Sequence, residues 1–244
     1  MYHLPLILLL IIVLLAGAAL ADTPSKDITK GFIAKTMTIG DREIKYVVYV
    51  PTSYGPKRPM PTIIFLNGYG ECGRDGWRQV FHLGNAIMLD AEKWPFIVIF
   101  PQKQSNESFW ADEEIVMMSA FEQTKKEYNL DLSRVYLTGL SQGGYGTWAI
   151  AARHPNMFAA IAPVCGGGDE AMAKKLAEMP VWAFHGEADT TVLPEKSKEM
   201  VDWIKAAGGD AKLTTYPGVG HNSWDNAYRD ENLGAWFLQF RKKK

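Results

Sequence analysis

The feature that most constrains this chain is a serine flanked by two glycines, which stands between an apolar run and a helical pattern. Residues 135–137 suit a buried strand, and residues 145–152 resume as an apolar helix. Gly139 and Gly143 remove the side chains that would collide if the backbone turned sharply at Ser141. The pattern therefore predicts a tight turn from strand to helix, with Ser141 at its apex in a strained backbone conformation.

Short apolar runs and helical patterns alternate along the rest of the chain. Alternating apolar and polar residues on either side of Gly40 predict an opening hairpin, with strands at 36–39 and 43–50. The later runs suit strands buried on both faces and cover residues 62–66, 96–100, 135–139, 159–164, 181–185 and 213–216. The helical patterns cover residues 77–90, 113–128, 142–153, 170–178, 194–207 and 231–240. This order predicts an α/β fold in which a mostly parallel sheet carries helices on both faces.

The N-terminal segment has the pattern of an export signal. Residues 4–15 are almost entirely Leu, Ile and Val, and small residues ending in Ala19-Leu20-Ala21 follow them. We therefore expect residues 1–21 to be a signal peptide and residues 22–244 to be one domain without a large lid, secreted or periplasmic. The alternative is an uncleaved membrane anchor, because no Lys or Arg precedes the apolar run.

Composition and motifs exclude several classes of function. The formal net charge of −1 gives no basis for binding nucleic acid. The motifs H-E-x-x-H and C-x-x-C do not occur, and none of the histidines has a second ligand at metal spacing, so we expect neither a metal nor another cofactor. No membrane partner is expected if residues 1–21 are removed, and the sequence indicates no particular oligomeric state.

The two cysteines, Cys72 and Cys165, each follow a predicted strand at the same edge of the sheet. Export would place them where a disulfide persists, and two free, partly buried thiols are the alternative. The separation of their Cα atoms decides between these two states.

Three side chains suited to acyl transfer follow separate predicted strands, namely Ser141, Asp189 and His221. The carboxyl ends of parallel strands meet at one edge of a sheet, so we expect the three to lie together. A serine hydroxyl needs a base to take its proton, and that base needs a carboxylate at its other ring nitrogen. His221 is the predicted base and Asp189 the predicted acid, with Glu187 as a rival for the acid position.

The oxygen of an attacked carbonyl needs hydrogen-bond donors that are already in position. One predicted donor is the N–H of Gln142, directly after the serine, and the other should come from the loop at 67–71. Gly68 and Gly70 let the backbone of this loop turn its amides toward a ligand. We predict Tyr69 N–H as the second donor, with Gly70 N–H as the alternative.

The remaining histidines and two tryptophans have simpler interpretations. His82 falls in a predicted helix, His154 at a helix end, and His185 at the end of a strand, where packing or a backbone hydrogen bond is expected. Trp110 and Trp224 lie near the predicted site loops, either as a platform for a ring-shaped substrate or as packing residues.

Several stretches of the chain resemble a known family. Residues 139–148, GLSQGGYGTW, and residues 162–169, APVCGGGD, are similar to bacterial secreted esterases of the dienelactone hydrolase-like and "predicted peptidase" group. These proteins are α/β-hydrolases, alongside feruloyl and acetylxylan esterases and polyhydroxyalkanoate depolymerases. The resemblance extends over roughly residues 43–236. FHGEAD and YPGVGHNSW look like that group's acid and histidine loops, which favours Asp189 and His221.

The chain departs from the pattern of this group at three positions. Asn67 stands where His usually precedes Gly68, Cys72 stands where a basic residue is common, and Gln142 replaces a Met. Position 67 is expected to act through its backbone and by bonding the loop, and only the N–H of Gln142 is needed. The resemblance therefore still implies a working oxyanion hole.

The residues and the resemblance together predict a serine esterase that forms an acyl-enzyme on Ser141, with a small-molecule or polysaccharide-linked ester as substrate. One alternative is a peptidase with the same triad, although the chain has no room for the propeller domain typical of prolyl oligopeptidases. The other is a non-catalytic binding protein of the same fold, which the presence of all three triad side chains and both glycines disfavours.

Overall fold

The computed structural model describes residues 28–242, so the predicted signal peptide at 1–21 lies outside the described residues. The strands are β1 (Gly31–Ile39), β2 (Arg42–Val50), β3 (Met60–Leu66), β4 (Ile97–Pro101), β5 (Leu130–Leu140), β6 (Ala160–Val164), β7 (Val181–Gly186) and β8 (Ala211–Tyr216). The α-helices are α1 (Phe81–Leu89), α2 (Glu114–Glu127), α3 (Gln142–Arg153), α4 (Glu170–Lys175), α5 (Glu195–Ala206), α6 (Trp224–Arg229) and α7 (Leu233–Phe237). Short 3₁₀ turns lie at Tyr69–Glu71, Arg78–Val80 and Ala91–Lys93.

The strands form one sheet in the order β1-β2-β4-β3-β5-β6-β7-β8. β2 pairs antiparallel with both β1 and β4, and every pair from β4–β3 to β7–β8 is parallel. The predicted opening hairpin and the mostly parallel sheet are therefore confirmed. Because β5, β7 and β8 run in the same direction, the loops that follow them emerge at one edge of the sheet.

Side chains of each strand alternate between two apolar layers. In β3, Ile64 and Leu66 belong to one layer and Ile63 and Phe65 to the other, and all four are fully buried. Helices α2 to α5 contribute to the first layer, and α1, α6 and α7 contribute to the second. A sheet covered on both faces explains why its strands read as continuous apolar runs.

Some element boundaries differ from the sequence prediction. β5 begins at Leu130, five residues early, because pairing of Leu130 with Met60 extends the strand through a polar stretch. The sequence pattern does not predict α6, and the helix expected at 231–240 is limited to α7. Beyond α7, the carbonyl of Phe240 accepts a hydrogen bond from the hydroxyl of Tyr136. Such short helices depend on packing against the sheet more than on local propensity.

The connections leave little room for a lid over the sheet edge. The two longest connections between strands and α-helices in the described part of the chain run from 67 to 80, between β3 and α1, and from 102 to 113, between β4 and α2; both are too short for a lid domain. None of the helices within residues 28–242 is long and apolar enough to cross a membrane.

Candidate active site

Ser141 lies at the apex of the turn between β5 and α3, with φ 54° and ψ −116°. The left-handed φ of a serine is the strained conformation expected from the sequence. A Cβ added at Gly143 would lie 2.0 Å from the carbonyl oxygen of Leu66, and one at Gly139 would lie 2.5 Å from the carbonyl oxygen of Gly143. Only glycine fits these two positions, because the turn packs directly against the end of β3.

His221 lies between Ser141 and Asp189, within hydrogen-bonding distance of both. Its Nε2 is 2.8 Å from Ser141 Oγ, and its Nδ1 is 2.7 Å from Asp189 Oδ2. The three residues come from the loops after β5, β7 and β8, as the strand order requires. The His221 side chain is 23% exposed whereas that of Asp189 is fully buried, so the predicted base opens to solvent and the predicted acid does not.

Asp189 is held as an anion by its surroundings. Its Oδ1 accepts hydrogen bonds from the N–H groups of Thr191 and Val192, both at 2.9 Å, and its Oδ2 accepts one from His221. Burial on its own raises the pKa of Asp189, but these hydrogen bonds outweigh burial and hold the pKa below its usual range. Glu187, the rival acid, accepts a hydrogen bond from Thr215 Oγ1 in an exposed position instead.

The loop at 67–71 packs against the serine turn. A Cβ added at Gly68 would lie 2.7 Å from Leu140 Cδ1, and the N–H of Gly68 donates to Glu71 Oε2 at 3.0 Å. Tyr69 begins a 3₁₀ turn, so neither its N–H nor that of Gln142 at the start of α3 has a preceding carbonyl within its own helix. Both predicted oxyanion donors therefore lie at helix starts on neighbouring loops.

Asn67 is fully buried and holds this loop in place through hydrogen bonds within the loop and to Lys103 and Trp110. Its Oδ1 accepts the N–H of Lys103 at 3.3 Å, its Nδ2 donates to the carbonyl of Gly68 at 2.7 Å, and its own carbonyl accepts Trp110 Nε1 at 2.8 Å. Trp110 is fully buried and acts as a packing residue, not as a platform. Trp224 is half-buried with its ring perpendicular to that of His221, the centroids 5.3 Å apart.

Both cysteines are free thiols. Cys165 is buried with φ 40°, and its Sγ, an oxygen of Asp189 and a ring nitrogen of His221 all lie within 4.8 Å of one another. These are the three side chains of the described residues that lie close enough to share a metal ion. Burial raises the pKa of the Cys165 thiol, which keeps it protonated, and Asp189 and His221 already bond each other. The arrangement suits a hydrogen-bonded triad better than a metal site.

Two histidines lie closer to the site than the sequence indicates. His82 is 3.2 Å from Glu71 Oε1, and its ring centroid is 5.0 Å from that of Trp224.

His185 Nε2 is 2.8 Å from the carbonyl oxygen of Val192 and 3.3 Å from Asp189 Oδ2. In the sequence, the feature that could have predicted this contact is the position of His185 four residues before Asp189. His154 bonds Glu114 at the end of α3.

The parallel sheet, the strained serine turn and the loops that converge on it define an α/β-hydrolase fold. Residues 99–233 match the dienelactone hydrolase family model. Since the match covers more than half of the chain, this protein belongs to the dienelactone hydrolase family. The family expected from the sequence motifs is therefore confirmed.

Several related proteins and structures carry esterase names. The bifunctional acetylxylan esterase/xylanase of Neocallimastix patriciarum is 30% identical over 146 residues, which are 58% of this chain and 21% of that protein. Acetylxylan esterase A of Aspergillus oryzae is 25% identical over 257 residues, covering 83% of this chain and 81% of that protein. The crystal structure of a thermostable esterase aligns with a TM-score of 0.79 and 30% identity, over 86% of this chain and 63% of that one. The chain thus spans about a fifth of the bifunctional relative.

Proposed function

We propose that this protein is a serine esterase that cleaves carboxylic esters through an acyl-enzyme on Ser141. The observation that carries the proposal is the position of His221, 2.8 Å from Ser141 Oγ and 2.7 Å from Asp189 Oδ2. In this proposal Ser141 is the nucleophile, His221 the general base and Asp189 the acid that orients it.

The first half of the reaction transfers the acyl group to the protein. Ser141 Oγ attacks the ester carbonyl carbon while His221 Nε2 takes the hydroxyl proton. Asp189 keeps the other proton on Nδ1 and stabilises the imidazolium that forms. When the carbon–oxygen bond to the alcohol breaks, His221 returns its proton to the departing oxygen, so the alcohol leaves neutral.

The second half of the reaction releases the acid. A water molecule gives a proton to His221 Nε2 as its oxygen attacks the acyl carbon, and His221 then protonates Ser141 Oγ as the acyl–serine bond breaks. In both halves the carbonyl oxygen becomes negatively charged. The N–H groups of Gln142 and Tyr69 are the donors we assign to that charge.

A carbohydrate-linked ester of a short acyl group is the substrate class that we favour. Support comes from the relatives named acetylxylan esterases and from the half-buried ring of Trp224, which lies beside the base. An indole presents a large apolar face against which a ring of the substrate can pack. The partially exposed His221 leaves room for an ester carried on a larger molecule.

A panel of p-nitrophenyl acetate, methyl ferulate, acetylated xylan and a peptide p-nitroanilide tests the proposal. We expect turnover of the acetyl esters and loss of on the order of a thousandfold or more in Ser141→Ala. Wild-type turnover in Ser141→Ala would refute the mechanism. Faster cleavage of the anilide than of the esters would make the protein a peptidase, and no turnover of any substrate would favour a binding protein.

A further inference from the structure

A second histidine lies close to the same carboxylate oxygen of Asp189 that His221 contacts. His185 is the penultimate residue of β7, and its side chain is fully buried. Its Nε2 is 2.8 Å from the carbonyl oxygen of Val192 and 3.3 Å from Asp189 Oδ2. Its Nδ1 is 2.7 Å from Ser197 Oγ, on the first turn of α5.

These neighbours determine where His185 carries its proton. The two groups facing Nε2 are a carbonyl and a carboxylate, which only accept hydrogen bonds, so Nε2 must be protonated. The neighbour of Nδ1 is a hydroxyl, which can donate. Burial lowers the pKa of His185 and favours the neutral ring, although Asp189 opposes this effect. A neutral ring then donates from Nε2, and the single hydroxyl proton of Ser197 is shared between His185 Nδ1 at 2.7 Å and the carbonyl oxygen of Gly166 at 3.0 Å.

We propose that His185 is a positioning residue that holds the carboxylate of Asp189 in the orientation His221 requires. Its Nε2–H donates to Val192 O at 2.8 Å, and Nε2 lies 3.3 Å from Asp189 Oδ2, the same carboxylate oxygen that accepts from His221. This inference rests on the proposed triad mechanism.

The contacts around Val192 make the arrangement rigid. Val192 donates its N–H to Asp189 Oδ1 at 2.9 Å, and its carbonyl accepts a hydrogen bond from His185. His185 therefore contacts the loop that holds the carboxylate as well as lying beside the carboxylate itself. Ser197 fixes the far side of the ring from α5 and also lies 3.0 Å from the carbonyl oxygen of Gly166. Without an N–H at the place of Nε2, Asp189 Oδ1 would keep its hydrogen bonds from the N–H groups of Thr191 and Val192. Oδ2, which accepts from His221, would lose the N–H beside it.

The test compares two substitutions of similar size and flexibility. Gln at position 185 can present an N–H near the place of Nε2, whereas Met cannot donate. Both remove the Nδ1 acceptor that faces Ser197, whose hydroxyl can turn to Gly166. At 3.3 Å the N–H near Asp189 Oδ2 is farther away than in a normal hydrogen bond, so we take the low end of the energies of polar contacts to charged groups. We therefore expect kcat of His185→Met to lie roughly tenfold below that of His185→Gln. KM for p-nitrophenyl acetate should be the same in both, because the ring does not touch the substrate.

The same pair made together with Asp189→Asn separates positioning from general support of the fold. If His185 acts through the carboxylate, the ratio of kcat for His185→Gln to kcat for His185→Met should fall from roughly ten to near one when both proteins also carry Asp189→Asn. A ratio near one already in the Asp189 protein, or a ratio that stays near ten with Asp189→Asn, overturns the inference. Ser141→Ala is assayed alongside: activity that survives this change refutes the proposed mechanism itself, and is thus distinguished from failure of the His185 inference.

A measurement on the unaltered protein covers the case in which His185→Met does not fold. Nitrogen-15 NMR of the histidine rings reports which nitrogen carries the proton. We expect the His185 signal, assigned by its loss in His185→Gln, to show a protonated Nε2 at neutral pH. An unprotonated Nε2 would overturn the inference, since the ring could not then place an N–H beside Asp189 Oδ2.

Discussion

Replacing Gly143 with alanine would test how closely the serine turn and the loop at 67–71, which carries a predicted oxyanion donor, depend on each other. The added Cβ would lie 2.0 Å from the carbonyl oxygen of Leu66 and 2.8 Å from that of Asn67. Real Cβ contacts essentially never fall below 3.0 Å, so one of the two backbone segments must move by about 1 Å. Neither atom belongs to a flexible side chain that could turn away.

The size of the effect follows from that displacement. The moving segment is either the start of α3, which carries Ser141 and Gln142, or the end of β3, which leads to Tyr69. A misplacement of about 1 Å costs on the order of a hundredfold in rate, which is about 2.7 kcal/mol of transition-state stabilisation. Overpacking of this kind also lowers the free energy of unfolding by roughly 1–3 kcal/mol.

The assay is kcat on p-nitrophenyl acetate at a temperature where thermal unfolding shows the variant to be folded. Gly55→Ala is the matched control, because nothing lies within 4 Å of a Cβ added there. We expect the control to retain wild-type kcat. A folded Gly143→Ala variant with kcat within threefold of the wild type would refute the reasoning, since the oxyanion donors would then tolerate the shift.

Two further predictions concern the acid side of the site. Asp189→Asn should retain the fold but lower kcat by about four orders of magnitude, because an amide favours the wrong tautomer of His221, and Glu187→Gln should leave kcat unchanged. The reverse pattern in steady-state kinetics would assign the acid role to Glu187. Burial lowers the pKa of His185 from its ordinary 6.5, so its contribution to stability is complete above that pH and is lost as the pH falls below it. The Tm of the wild type should therefore fall more from pH 7 to pH 5 than that of His185→Gln, while equal decreases would contradict a neutral buried ring.

Local patterns predicted much of the fold because the information lay within a few residues of each element. The opening hairpin, the parallel strands and α3 follow from apolar periodicity and from glycines at turns. The early start of β5 could not be predicted, since the stretch before Val135 is polar and becomes a strand through pairing with Met60. The short helix α6 was not predicted for a similar reason, because packing against the sheet stabilises it rather than its local sequence.

The site was predictable to the extent that strand order determines which loops meet. Ser141 and His221 are 80 residues apart in the chain, yet the parallel sheet brings the ends of their strands to one edge. The roles of the side chains around the site were harder to predict from the sequence. Trp110 is buried and bonds the loop at 67–71 through Asn67, and His185, expected only to pack or to bond the backbone, also lies 3.3 Å from the carboxylate of Asp189.

The sequence by itself determined that a strained serine must stand between a strand and a helix, because only glycines at 139 and 143 permit that turn. It also determined the order of strands and helices, which the spacing of apolar residues specifies locally. Only the tertiary structure decided which atoms face one another around Ser141. Hydrogen-bond partners depend on loop conformations to within a few tenths of an ångström, and those conformations are set by packing between segments far apart in the chain.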